Sequence, residues 1–227
     1  GVDKMARMQP VRALGTCFGW SSDVADAIRW ATGLSVPGVP DNPTPARVVN
    51  LSLGGSGACS SIEQLAIDAA VAAGVVVVAA AGNSASDLDF VPFSPASCSN
   101  VIAVAATTRS GDRANYSNFG SIVDIAAPGG LKLISESEGI RSLSNAGTTT
   151  ADLSPDGWTY SNKQGTSMSA PHVSGVISLM LAANGRLTPS QIEQILKQTA
   201  RPFPLSPRGA QFSCSSDPAA LYHCGAG

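Results

Sequence analysis

Charge is what this sequence has least of. Charged residues make up 13% of its 227 positions and the formal net charge is −2, so no field of one sign is available to attract nucleic acid or anionic lipid. Neither class of partner is expected. Long hydrophobic runs are missing too: the longest, 69–81, is too short to cross a bilayer and is interrupted by Gly74. Residues 1–20 lack the basic, apolar and small-residue succession of a signal peptide. A soluble, already processed chain is therefore the expectation, and scarce lysine beside 23 Gly and 15 Pro is compatible with a secreted enzyme. With 44% hydrophobic residues the chain can bury a large core, which suits one domain over 1–227 better than two small ones.

Five cysteines are present. Cys59 and Cys98 flank a long loop, and Cys214 and Cys224 enclose a short one. If paired, these bridges contribute on the order of 4 and 3 kcal/mol by chain entropy. They require an oxidising compartment. Cys17 is left over, either as a small buried hydrophobe or with a partner outside this sequence.

Taken in order, 1–7 has no periodicity and reads as loop, and 9–14 is strand-like. Ser21-Ser22-Asp23 caps a helix carrying Val24, Ile28 and Ala31 on one face and stopping at Gly33. A proline-rich loop at 35–45 leads to a strand at 47–53. Ser60 with Glu63, or Ser61 with Gln64, forms a capping box for a helix through Ala73, closed by Gly74. The β-branched run 75–78 is a strand buried on both faces, and further strands are expected at 101–106 and 121–126. Thr188-Pro189-Ser190-Gln191 is a second capping box, opening a helix to Thr199. Alternating buried strands and helices specify an α/β fold, a doubly wound and mainly parallel sheet with helices on both faces. Ligands of such sheets lie at the carboxyl ends of the strands.

One stretch carries the chemistry: Gly-Thr-Ser-Met-Ser-Ala-Pro-His-Val-Ser-Gly at 165–175, continuing to Asn184-Gly185. It reads as a tight turn opening a helix covered on nearly all sides, with Pro171 in the first turn and a left-handed residue at Asn184-Gly185. Ser167 then stands at the positive end of that helix, where backbone N–H groups can meet an oxyanion. These eleven residues closely resemble the nucleophile motif of the subtilisin-like serine proteases, the subtilases. The resemblance runs from residue 1 to Thr199. It implies a serine endopeptidase acting on proteins or peptides through an acyl-enzyme on Ser167.

The resemblance implies further roles. Ala-Ala-Gly-Asn at 80–83 is similar to the segment whose Asn donates to the oxyanion, here Asn83, with Gly82 and Thr166 lining the substrate site. Asn50-Leu51-Ser52-Leu53-Gly54-Gly55 is similar to one wall of the specificity pocket, which places Ser52, Leu53 and Gly54 against substrate. Phe18 and Gly19 fall where the family has a second substrate-pairing strand, and Phe18 is larger than usual there. Asp124, an acid in an apolar strand, matches a calcium ligand that acts with carbonyls of Ser99 and Val101. Its alternative is a buried Asp satisfied by backbone donors. Residues 139–164 resemble a family hairpin.

The family pattern breaks in one place. A subtilase activates its Ser with a His held by an Asp, both earlier in the chain. No Asp-Ser/Thr-Gly and no His-Gly motif precedes Ser167. His172, five residues further along the same helix, points roughly 140° away from the nucleophile, which leaves His223, with Asp217 behind it, as the other histidine. The expected partner is therefore a complementing N-terminal polypeptide carrying the catalytic His and Asp. Two alternatives stand beside it: a self-contained hydrolase of simple esters, and an inactive fragment that binds peptides.

Overall fold

The computed structural model describes residues 2–16, 18–132, 135–206, 208–217, 219–220 and 222–227. The alternatives for Cys17 lie outside the described residues. Helix α1, Ser21–Ala31, is followed by β1 (Val48–Leu51) and the short β2 (Gly55–Ser56). Helix α2 (Ser61–Ala72), β3 (Val76–Ala80), the short β4 (Phe93–Ser94), β5 (Ile102–Thr107) and β6 (Ile125–Pro128) come next. A hairpin of β7 (Ile140–Asn145) and β8 (Trp158–Lys163) precedes α3 (Thr166–Ala183) and α4 (Pro189–Thr199).

Four strands form a fully parallel sheet in the order β1-β3-β5-β6. Strand side chains alternate between faces, so β3 and the residue before it feed two cores. Val75, Val77 and Ala79 join α1 and α2 on one side, while Val76, Val78 and Ala80 join α3 and α4 on the other. Each β3 residue is therefore buried. That is the physical meaning of an unbroken Val run: a strand covered on both faces has no position for a polar residue.

Local signals placed most element starts correctly. Both capping boxes form, Ser60 with Glu63 and Thr188 with Gln191, with Pro189 in the first turn of α4. Both disulfides form, Cys59 to Cys98 and Cys214 to Cys224, with Cα–Cα distances of 5.0 and 5.4 Å.

Five expectations need correction. Residues 9–14 form no strand. Helix α1 is capped by the extended backbone of Trp20 without a side-chain bond, so its Ser-Ser-Asp lies inside the first turn. Strand β6 begins four residues later than expected, because Val123 N bonds to Gly120 O in a turn that fills the approach to it. Helix α3 starts at Thr166, leaving Pro171 inside the helix, and Asn184 ends it with extended backbone. The outer face of α3 is also not covered, since Val176 and Leu179 are exposed.

The last segment of the chain closes one sheet edge. Ala226 pairs in parallel with Ile125 of β6, accepting from Ala126 N at 2.7 Å and donating to Asp124 O at 2.9 Å. Ser206 and Arg208 are fastened to the turn after β5 by Asp112, which is 1% exposed. Asp112 accepts from Arg208 Nε at 2.6 Å, from Ser206 Oγ at 2.8 Å and from Thr108 Oγ1. Burial pushes its carboxyl up, but these hydrogen bonds outweigh burial and hold it below the ordinary value of 3.8. Arg208→Ala should cost about 3 kcal/mol in urea unfolding at pH 7, because it strands a buried carboxylate. A folded value below the unfolded one means that this stability is present above pH 3.8 and is lost as the pH falls. The gap between wild type and variant should therefore close in acid.

Candidate active site

The carboxyl ends of three parallel strands and the start of α3 meet in one place. Strand β1 runs into Ser52, β3 into Gly82 and Asn83, and β6 into Gly129 and Gly130. Between them stands Gly165 at φ 142°, which delivers Thr166 and Ser167 to the first turn of α3.

Pro171 explains how Ser167 is held. Within a helix the carbonyl of residue 167 would receive the N–H of residue 171, but proline has none. Ser52 Oγ donates to that freed carbonyl at 2.8 Å, and Ser167 Oγ donates in return to Ser52 O at 3.2 Å. Ser52 is itself fixed by Asn50 Nδ2 at 2.8 Å, and Asn50 Oδ1 accepts from Ser174 Oγ at 3.0 Å. Side chains of β1 and α3 thus lock Ser167 to the wall beside it.

Asn83 is held from the other side. Its Oδ1 accepts from Thr166 N at 2.8 Å and Thr166 Oγ1 at 3.0 Å, while Thr166 Oγ1 also accepts from Gly82 N at 3.1 Å. With the carbonyl end engaged, the Asn83 amide nitrogen is the free end. Neither it nor the Ser167 N–H has a hydrogen-bond partner among the described residues. Two unspent donors beside a hydroxyl at a helix N-terminus are what an oxyanion requires.

Two residues that sequence reasoning missed build this arrangement. Asn118, 2% exposed, donates to Ala81 O at 2.8 Å and accepts from Ser84 N and Ser86 N, so its amide clamps the loop that presents Asn83. Gly82 sits at φ 104°, and a Cβ there would collide with the Asn118 amide. Tyr116 OH accepts from Gly165 N at 3.0 Å and bonds Gly130 O at 2.7 Å. Burial pushes this phenol up to about 12, so it stays protonated and able to donate. Neither carries a local signal, since both stand among polar and turn-forming neighbours at 115–121.

Other expected site residues divide. Leu53 packs against the α1–α2 core and Gly54 approaches the Phe93 ring, which fixes the backbone of 52–54 beside Ser167. Phe18 and Gly19 form no strand: Phe18 is 65% exposed and sits edge-on to Trp20 at 5.5 Å. Residues 11–14 face Asn50, Ser52 and Leu53 across a shallow groove instead. A second depression lies on the far side of Ser167, lined by Met168, Gln164, Lys163, Asn162 and Lys132.

No imidazole meets Ser167 among the described residues. His172 Nδ1 lies 2.7 Å from Met168 O. His223 is buried in the C-terminal segment, where it pairs with Ser215 and accepts from Gly120 N. The calcium expectation at Asp124, Ser99 and Val101 does not fit the donor set either. Lys197 Nζ occupies the cation position 2.6 Å from Asp124 Oδ1, Ala103 N donates to Oδ2, and Ser99 O accepts from Gln64. Among the described residues no cluster of three His, Cys, Asp or Glu could hold a metal.

Burial pushes the Lys197 ammonium down, but its bonds to Asp124 and Glu193 outweigh this and hold it above the ordinary 10.5. The stability it adds is then full below pH 10.5 and is lost as the pH rises through the higher folded value. Lys197→Met should cost about 2 kcal/mol at pH 8 in urea unfolding, less than a fully buried pair because the lysine is partly exposed. The variant should also lose the alkaline fall of the wild type.

The geometry defines a class: a doubly wound α/β protein presenting a serine hydroxyl and two unpartnered N–H donors at the carboxyl ends of its parallel strands. The chain belongs to the Subtilase family, whose model matches residues 1–227. It is 50% identical over 200 residues to an extracellular protease of Xanthomonas campestris pv. campestris, covering 88% of this chain and 32% of that protein. It is 43% identical over 207 residues to an extracellular basic protease of Dichelobacter nodosus, covering 89% of this chain and 32% of that one. A solved protease structure from Pseudoalteromonas arctica superposes with a TM-score of 0.87 at 46% identity, covering 99% of this chain and 61% of the other. The chain thus spans about a third of the length of these curated relatives.

Proposed function

We propose that residues 1–227 are the nucleophile-bearing part, as a single domain, of a secreted subtilisin-type serine endopeptidase. The observation that carries this reading is the pairing of Ser167 at the N-terminus of α3 with an Asn83 amide whose nitrogen is left free. Ser167 Oγ attacks the peptide carbonyl. Asn83 Nδ2 and the Ser167 N–H receive the developing oxyanion, and the 52–54 wall holds the extended substrate on one side of the groove. Secretion is supported by the two disulfides and by relatives named as extracellular proteases.

The general base comes from a segment outside this sequence that carries the catalytic His and Asp. In its place Ser167 Oγ bonds Ser52 O, a backbone carbonyl too weakly basic to take a proton from an alcohol. The same bond favours a second reading, a peptide-binding fragment without turnover. A serine-directed phosphonate separates the two, since labelling requires an activated oxygen. With the complementing segment present, Ser167 should label rapidly and Ser167→Ala should not label at all. No labelling of the complemented wild type would leave the binding reading. Asn83→Ala should lower turnover about 100- to 1,000-fold, the magnitude known for the corresponding donor in subtilisin itself, with substrate affinity nearly unchanged. A pure affinity defect in steady-state kinetics would assign Asn83 to a turn.

A further inference from the structure

The β7–β8 hairpin exposes more apolar surface than its own packing explains. Its register sets Leu143 opposite Tyr160 and Asn145 opposite Trp158, so Leu143, Tyr160 and Trp158 share one face. All three are more than half exposed, at 74%, 63% and 64%. Arg141, on the same face, lays its guanidinium over the Tyr160 ring at 5.2 Å. Isolated exposed apolar residues need no explanation, but a contiguous set on one rigid face does.

Charge and continuity indicate what covers it. On this face the charged strand residue is Arg141, a cation in a chain of net charge −2, since Lys163 stands opposite Ile140 on the other face. Strand β8 also runs without a break into the depression beside Ser167, to which it contributes Asn162 and Lys163. The base of the hairpin is tied to the body by Lys132 N bonding Gln164 Oε1 at 2.6 Å and Leu131 N bonding Glu138 O at 3.0 Å. Five residue steps lead from Tyr160 to Gly165, so the aromatic face begins within about 17 Å of the turn before Ser167 at roughly 3.3 Å per step.

We infer that this face is an auxiliary docking surface for protein substrates. It holds an extended apolar segment with acidic neighbours at a fixed offset from Ser167, so that unfolded proteins bind more tightly than short peptides. The inference rests on the reading of Ser167 as one end of a substrate groove. Its test does not need turnover.

The chain with Ser167→Ala would be titrated with fluorescent, reduced casein and with a capped tetrapeptide, following anisotropy. The triple variant Leu143→Ser, Trp158→Ser, Tyr160→Ser should weaken casein binding at least tenfold and leave the tetrapeptide unchanged. Arg141→Glu, an exposed change that does not threaten folding, should weaken casein alone and remove part of its salt dependence. Equal losses for casein and tetrapeptide would overturn the inference, because the hairpin would then only shape the site. Unchanged casein binding would overturn it as well, and a lowered melting temperature alongside would mean that the face is covered by more of its own polypeptide. Failure of the catalytic reading appears separately, as absent phosphonate labelling with casein binding intact.

Discussion

A missing hydrogen-bond donor organises this molecule. Pro171 cannot return an N–H to the Ser167 carbonyl, and the vacancy is filled by Ser52 from the end of β1. A defect in one helix thereby becomes a tether between helix and sheet. The carbonyl lost to the helix ladder is satisfied, the hydroxyl of Ser167 is drawn to the same wall, and the Asn50–Ser174 bond extends the seam along the helix. Without the proline the helix would be locally more regular and the serine less firmly placed.

The opposite wall follows the same logic. Thr166 engages the Asn83 carbonyl with both its N–H and its hydroxyl, which fixes which end of the amide stays available. Behind it, Asn118 supplies the loop with partners that no strand provides. The site is therefore made of neutral amides and hydroxyls whose strengths are geometric. Little in it depends on the charge that the composition lacks: the ion pairs at Asp112 and Asp124 lie elsewhere, and the Lys132–Glu136 pair only borders the depression beside Ser167.

Legibility in the sequence tracks the range of each interaction. Capping boxes and a buried Val strand are written within a few neighbouring residues, so Ser60, Thr188 and β3 were read correctly. The turn that opens α3 was legible because its glycine, threonine and serine are consecutive. Asn118, Tyr116 and Lys197 were not, since each acts through a partner 32 or more residues away, at Ser86, Gly165 and Asp124, and nothing local distinguishes them from turn or surface residues. Asp124 illustrates the point from the other side: an acid in an apolar strand does announce a compensating cation. Only the fold shows that α4 brings one on a lysine. The segment at Phe18 and Gly19 failed for a related reason, since a strand exists only where its neighbour pairs with it.

The docking of Ala226 on β6 has a last consequence. By closing that edge with its own backbone, the chain leaves β1 as the terminal strand of the sheet, with outward N–H and C=O groups unpaired among the described residues. Open edges recruit strands, so lateral growth of this sheet is directional and confined to a single boundary. One incoming strand alongside β1 would stand next to the wall that carries Ser52. Any partner that extends the sheet there is therefore delivered to the Ser167 side of the molecule.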